Sequence, residues 1–295
     1  MGLNISSILP RNEITLEQLK NKKVAVDTYI YLYEFLRTLP KLTDRKGRLT
    51  THLIGLFYRT TRFMSYKIKP CFVFDGFFPD INKEYPKIIN KPVPARISST
   101  ITGHVIESSK KLLELLGLPV IQAPSEGEAQ AAYLAKKGDT WAAATKDFDC
   151  LLFKTPRMIQ NLTLAKKRKL PKKGFVWIGS YFYELESVLK TLDISHEQLI
   201  TLAILIGTDF NQGIKGIGPK KALKLVKEYK TPEKLFGKIH CPGWEKVYHL
   251  IRNIPITTKY KIRYTKPDYE GIKAFLVKEH DFNETRVESA LERIS

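Results

Sequence analysis

The chain is short of cysteine, of acid and of long apolar runs, and each shortage removes a class of protein. Its three cysteines, Cys71, Cys150 and Cys241, are odd in number and far apart, so they frame neither a disulfide scaffold nor a zinc site and read as small core residues. No stretch approaches the roughly 20 apolar residues of a membrane-spanning helix. The N-terminus carries no charged segment followed by an apolar h-region, so secretion is unsupported and the cell interior is the expected location. No internal repeat of fixed period is visible. Acids are outnumbered: 30 Asp+Glu stand against 49 Lys+Arg, a net charge of +19 over 295 residues. That surplus points to a polyanionic partner, of which nucleic acid is the commonest form, and not to a membrane. With 43% hydrophobic residues, the chain has ample core for one large α/β domain or two small ones.

Four apolar, β-rich runs read as buried parallel strands: "KVAVD" (23–27), "CFVFD" (71–75), "LPVIQA" (118–123) and "TWAAATKD" (140–147). Helical spacing lies between them in "YLYEFLRTL" (31–39), "THLIGLFYRTTRFMSY" (51–66) and "HVIESSKKLLELLG" (104–117), the last closed by Gly117. The alternation predicts an α/β fold with a mostly parallel central sheet flanked by helices. Residues 77–103 break the pattern with Pro79, Pro86, Pro92 and Pro94, and form a loop or flap carrying Lys83, Lys87, Lys91 and Arg96. From about residue 190 the chain reads mostly helical, with Ser195 and Gln198 spaced as a capping box.

In "PSEGEAQAA", Glu126 and Glu128 begin a helix, where early acids are ordinary because first-turn N–H groups lack partners. They do not stand alone. Asp27, Asp75 and Asp147 end predicted strands, at the rim where open α/β sheets place their ligands. Asp149 follows Asp147 by two, which in an extended segment puts both side chains on one face, and Asp209 ends an apolar helix. A single strand-end aspartate is commonly a turn former or a helix cap. Seven acids converging in a basic protein are different, because like charges repel unless cations neutralise them. All-oxygen ligation predicts Mg²⁺ or Mn²⁺.

A second signal follows in "GIKGIGPKKALKLVKEY" (213–229). Gly213, Gly216 and Gly218 form a tight turn before a helix starting at Pro219, with Lys220, Lys221 and Lys224 on it. Glycines let backbone N–H groups approach a phosphate, and the helix start favours the anion. This is a helix-hairpin-helix type of signature for gripping a DNA backbone, although a glycine turn before a solvated basic helix has the same spelling. Metal-bound carboxylates beside such a turn suggest phosphodiester hydrolysis with two ions. The run "KKRKLPKK" (166–173) reads as a solvated loop, a DNA-contacting hairpin or a nuclear-localisation tract.

These stretches, with "MGLNI", "CFVFDG", "ATKDFDCLLF", "LIGTDFNQGIKGIGPKKALKLV" and "IKAFLVKEHDFNETRVESALERI", resemble the flap endonuclease branch of the structure-specific 5′-nucleases, the archaeal enzymes most closely. The resemblance spans almost the whole chain. It implies a PIN-like nuclease core with a helical helix-hairpin-helix region, arranged as one domain over 1–295: an N-terminal region (1–76), an arch (77–103), an internal nuclease region (104–212) and a helical region (213–295). It implies a structure-specific 5′ endonuclease and 5′–3′ exonuclease of replication and repair, working as a monomer on flapped or branched DNA. One ion would be held mainly by Asp75, Glu126 and Glu128, a second by Asp147, Asp149 and Asp209, with Asp27 acting through water. Tyr33 would stack on a substrate base, Gly2 would fold in near the site, and the glycine turn would hold a K⁺ ion. "MGLNIS" also matches the loose N-myristoylation pattern, with which the role implied for Gly2 competes.

Two departures from the family pattern bear on substrate choice. Between Asp75 and Glu126 the chain is shorter than its relatives, and the long basic arch helix is replaced by proline-broken loop, leaving Lys83 and Arg96 as the candidates for orienting the scissile phosphate. A short arch would shift preference from threaded flaps towards bubbles, junctions or 5′ ends. The chain stops at Ser295 without a glutamine-and-aromatic clamp-binding tail, so docking on a sliding clamp by that route is not expected. A non-catalytic junction-binding protein is the reading from a different class, and the complete acid set argues against it.

Overall fold

The computed structural model describes residues 3–76, 101–162, 167–170, 174–177 and 179–295. Gly2, Lys83 and Arg96, with the rest of the proline-broken stretch to residue 100, lie outside the described residues. Among those described, the central sheet has seven strands: β1 (Asn12–Ile14), β2 (Lys23–Asp27), β3 (Lys69–Phe74), β4 (Val120–Gln122), β5 (Ala142–Thr145), β6 (Arg157–Gln160) and β9 (Ser180–Glu184). The spatial order is β1-β9-β6-β5-β2-β3-β4. The five strands from β6 to β4 run parallel, and β9 and β1 add an antiparallel edge. All four strands expected from the sequence are present.

Burial explains why the middle strands are apolar throughout. Val24, Ala25 and Val26 of β2, Cys71 to Phe74 of β3 and Ala142 to Ala144 of β5 are at most 2% exposed, as strands covered on both faces must be. Helices α1 (Thr28–Thr38), α2 (Thr51–Ser65) and α3 (Gly103–Leu115) cover one face, with Leu32, Phe57, Phe63, Leu112 and Leu113 filling the interface. Helix α4 (Gly127–Lys137) lies on the other face, where Ala131 and Leu134 meet Ala25, Val73 and Ala143. Each such large side chain contributes roughly 1.5–3 kcal/mol.

Beyond a four-residue helix α5 (Asp149–Leu152) and α6 (Leu185–Leu192), the chain becomes helical. Here α7 (His196–Ile206), α8 (Pro219–Tyr229), α9 (Pro232–Phe236) and α10 (Trp244–Arg252) share a second core around Leu199, Leu202, Val226 and Leu250. The capping box read at Ser195 is present in both directions: its Oγ accepts from Gln198 N–H, and the Gln198 side chain accepts from Ser195 N–H at 2.8 Å. The basic run 166–173 does not read as loop throughout. Lys167–Leu170 (β7) pairs antiparallel with Gly174–Trp177 (β8) in a separate hairpin. No helix among the described residues is long and apolar enough to cross a membrane. A segment without helix or strand, residues 253–268, returns the chain to α11 (Tyr269–Lys273), a π-helical turn Ala274–Glu279 and α12 (Glu284–Leu291) against α2 and α3.

That return buries polar groups. His280 Nδ1 lies 3.0 Å from Asp44 Oδ2, which also receives Arg48 Nε at 2.7 Å. His52, fully buried, bonds Ser108 Oγ through Nε2 at 2.8 Å. Burial, with His104 and His280 nearby, pushes the pKa of His52 down to about 3. Between that value and the ordinary pKa near 6.5, the unfolded chain takes up a proton at this residue that the fold refuses, so its contribution to stability is lost as pH falls. We expect His52→Gln to flatten the dependence of unfolding free energy on pH between about 4 and 6 by up to roughly 1.4 kcal/mol per pH unit. Denaturant titrations at stepped pH check this, and parallel slopes for the two proteins would contradict it.

Candidate active site

The carboxylates sit where strands and helices meet at the C-terminal rim of the parallel sheet. Asp27 closes β2 and caps α1, its Oδ1 accepting Ile30 N–H at 3.4 Å. The ordinary capping role is therefore real for Asp27, and it fixes the direction of the carboxylate. Asp75 follows β3, and its Oδ1 accepts Gly127 N–H at 2.8 Å. A Cβ on Gly127 would lie 2.5 Å from that oxygen, so glycine between the two glutamates is what admits the carboxylate from β3 against the start of α4. Glu126 stands at the N-cap position of α4, yet its side chain accepts no capping hydrogen bond. Helix-start chemistry thus leaves Glu126 unexplained. Glu128 sits in the first turn, 8% exposed.

Asp147 follows β5, but the expectation of an extended Asp147–Asp149 pair fails. Asp149 is the first residue of α5 and is buried, because Cys150, Leu151 and Leu152 turn into the second core immediately after the strand. Its Oδ2 accepts Leu3 N–H at 3.1 Å, which brings the start of the described chain to the site. Asp209 lies in the turn after α7, which is closed by Thr208 N–H to Asn211 O at 3.1 Å and by Asn211 Nδ2 to Ile204 O at 2.7 Å.

One oxygen each of Glu128, Asp149 and Asp209 lies within 4.8 Å of the other two, a set that could hold a metal ion. The resemblance groups Glu128 with Asp75 and Glu126; Glu128 also lies beside Asp149 and Asp209. The other acids are close enough to be felt electrostatically. Burial, then Asp75 and Asp147, raises the pKa of Asp27 against the opposing Ile30 N–H. Burial raises Asp75 to about 6, against the Gly127 N–H. Glu126 is raised by burial and then by Asp75, Asp209, Asp27 and Asp149; Glu128 by burial and then by Asp149, Asp147, Asp27 and Glu126. The fold therefore gathers all seven acids into one neighbourhood. Hard oxygen donors crowded at a charge cost fit a divalent cation of the Mg²⁺ type.

Sequence reading passed over Thr145, the last residue of β5. Its buried hydroxyl lies 3.4 Å from Asp27 Oδ2 and 3.5 Å from Glu128 Oε2, and accepts from Asp147 N–H at 3.4 Å. The only local signal was a polar residue ending a strand of alanines. Tyr33 is half-buried on α1, edge-on to Tyr29 at 6.4 Å. Burial, with Asp75 and Asp27 beyond it, pushes its phenol up to about 12, so Tyr33 is a neutral ring bordering the acids.

The glycine turn is formed as read. Gly213 has φ +70° and packs its α-carbon against the Ile206 carbonyl, leaving no room for a side chain. Gly216 and Gly218 are exposed, with open space where a Cβ would point. Lys220, Lys221 and Lys224 are exposed on α8, whereas Lys227 is paired with Asp193 at 3.2 Å.

Two family profiles match the chain: the XPG N-terminal domain over residues 5–88 and the XPG I-region over 117–209. Flap endonuclease 1 of Pyrococcus abyssi (strain GE5 / Orsay) is 45% identical over 322 aligned positions, covering 100% of this chain and 94% of the relative. The chain belongs to the flap endonuclease family. Flap endonuclease 1 of Staphylothermus marinus is 43% identical over 330 positions, with 100% and 94% covered. Both alignments run longer than the 295 residues of this chain, so the relatives carry extra residues within the shared span. The solved flap endonuclease-1 from Methanococcus jannaschii superposes with a TM-score of 0.86 at 34% identity, covering 99% of this chain and 98% of that one. The catalytic core of Rad2 in complex with DNA substrate shares the fold, at TM-score 0.78 and 23% identity, covering 99% and 98%.

Raised carboxylate pKa values mean that the charged cluster destabilises the metal-free fold above those values, and that this penalty fades as pH falls through them. We expect Glu128→Gln to melt above the wild type in chelator at pH 8, by about 2–4 °C per kcal/mol of repulsion relieved. The gap should close towards pH 4. A lower melting temperature for the variant at pH 8 would contradict the repulsion.

Proposed function

We propose that the chain is a structure-specific DNA nuclease that hydrolyses phosphodiester bonds at flaps or other junctions between single and double strands, leaving 5′-phosphate and 3′-hydroxyl ends. The observation that carries this reading is the rim at which seven carboxylates gather, Asp27, Glu128 and Asp149 of them buried, in a family member of net charge +19. A protein that only bound DNA would gain nothing from that arrangement, which opposes both its own folding and the approach of a phosphate.

In this reading Mg²⁺ is the working ion and Mn²⁺ substitutes for it. Glu128, Asp149 and Asp209, with Asp147, would hold one ion, and Asp75 and Glu126 a second. Asp27, fixed by its capping bond, acts through water. When bound, divalent cations supply an acidified water and positive charge beside the leaving 3′-oxygen. The remaining work falls to the chain. Backbone N–H groups of the turn at Gly213, Gly216 and Gly218 grip duplex phosphates with Lys220, Lys221 and Lys224, and K⁺ joins the turn. The Tyr33 ring stacks on a base next to the scissile phosphate. We assign Lys83 and Arg96 to orienting that phosphate and Gly2 to the DNA contact, all three outside the described residues. We read residues 1–295 as one nuclease domain acting as a monomer inside the cell, with the arch at 77–103.

Asp149→Asn and Asp209→Asn should each abolish cleavage of an end-labelled 5′-flap duplex in Mg²⁺ while leaving its affinity in chelator within about threefold. Undiminished turnover in either variant would remove that residue from the metal set. Lys220→Ala and Lys221→Ala should weaken flap binding and make it less salt-sensitive, lowering the slope of log K against log[salt] by about 0.9 for each phosphate no longer neutralised. Unchanged slopes would take the turn out of the DNA interface.

A further inference from the structure

Helix α4, which presents Glu126 and Glu128, is held from outside the catalytic rim by the segment 253–268. The contacts nearest the glutamates are side-chain to backbone. Ser125, immediately before Glu126, donates its Oγ–H to the Pro255 carbonyl at 2.5 Å. Gln130, two residues after Glu128, uses both ends of its amide on one residue: Nε2 donates to Thr257 O at 3.0 Å, and Oε1 accepts Thr257 N–H at 2.7 Å. Ser125 and Gln130 are both fully buried. On the opposite side, Asp75 and Gly76 grip the same turn through Gly127 N–H to Asp75 Oδ1 at 2.8 Å and Gly76 N–H to Ser125 O at 2.7 Å.

The same segment fastens the far end of α4 differently. Tyr260 packs on the apolar face beneath α4, donates to Asp139 Oδ2 at 2.6 Å and accepts from Lys137 Nζ at 3.2 Å. Those bonds are at the helix C-terminus, away from the acids. The carboxylates repel one another, so the first turn of α4 experiences an outward force that its own backbone bonds do not oppose laterally. A buried amide satisfied at both ends is stiff and costly to disrupt, since breaking it leaves the fully buried Gln130 amide without these partners.

We propose that Gln130, assisted by Ser125, is a positioning residue for the metal site. It clamps the Glu126–Glu128 turn to segment 253–268, and through it the helical region that ends in α10 braces the carboxylate rim. This rests on the nuclease reading above. The clamp acts on the glutamates and not on the DNA, so its removal weakens metal binding and turnover and spares DNA affinity.

The test uses the full chain and Mn²⁺ as the probe, titrated calorimetrically without DNA, beside kcat on a 5′-flap duplex at saturating Mn²⁺ and DNA affinity in chelator. Gln130→Leu removes both amide bonds; Ser125→Ala removes one hydroxyl and serves if Gln130→Leu does not fold. Tyr260→Phe releases the far end of α4 and controls for general loosening. We expect about tenfold weaker Mn²⁺ binding and a comparable fall in kcat for Gln130→Leu, in keeping with the cost of removing groups that support metal ligands. Ser125→Ala should show a smaller change in the same direction. DNA affinity should stay within twofold in both, and Tyr260→Phe should keep wild-type Mn²⁺ affinity. Wild-type Mn²⁺ affinity and kcat in both clamp variants, or an equal fall in Tyr260→Phe, would overturn the proposal. A wild-type protein that binds no Mn²⁺ would instead overturn the nuclease reading, and this inference with it.

Discussion

Electrostatic repulsion among carboxylates is the constraint around which the rest of the molecule is arranged. Parallel strands bring their C-terminal ends to a common rim, and this chain ends β2, β3 and β5 with or beside aspartate at that rim. Left to themselves the acids would separate. They are held by bonds that each come from a different part of the chain: Ile30 N–H on Asp27, Gly127 N–H on Asp75 and Leu3 N–H on Asp149. Each donor is a backbone amide, whose position is set by a helix or a packed segment and not by a rotamer. The apolar mass on both faces of the sheet makes that arrangement tolerable, since the core supplies the stability that the rim subtracts.

The division between acid and base follows from the same constraint. The chain carries an excess of 19 positive charges, while seven of its 30 acids are gathered at one rim. A phosphate backbone is attracted to the body of the protein in general and repelled at the rim in particular. Cations at the rim reverse that local sign, which couples the two signals that stood apart in the sequence, the acid pairs and the lysine-bearing glycine turn.

Much of this was legible because both the sheet and the acids announce themselves locally. Continuous apolar runs marked β2, β3 and β5, and the acid at the end of each marked the rim. The side of the sheet beyond β5 was not legible: "RMIQ" (β6), "SYFYE" (β9) and "NEI" (β1) are short and partly polar, and they become strands as β5 offers an unpaired edge to β6, β6 one to β9 and β9 one to β1. Asp149 was misplaced for a similar reason, since the four residues of α5 fold into a core contributed mostly by residues beyond 180. Thr145 shows only as the polar end of a run of alanines, and Ser125 and Gln130 carry no signal alone. Their partners stand up to 130 residues away in sequence, and a serine or glutamine reads as surface until that distance is closed.

The strand order has a consequence for how the molecule comes into being. β2 is central in space, yet its neighbour β5 is made more than a hundred residues later, and β3 must wait almost fifty residues for β4. A chain emerging from synthesis therefore carries β2 and β3 with open edges until β4 (Val120–Gln122) and β5 (Ala142–Thr145) follow. Over that interval the cluster is incomplete: Asp147 and Asp149 join the acids of β2, β3 and α4 only with β5, and Asp209 follows later still. The costliest cluster in the protein is thus completed only after β5 has sealed the open edge of β2.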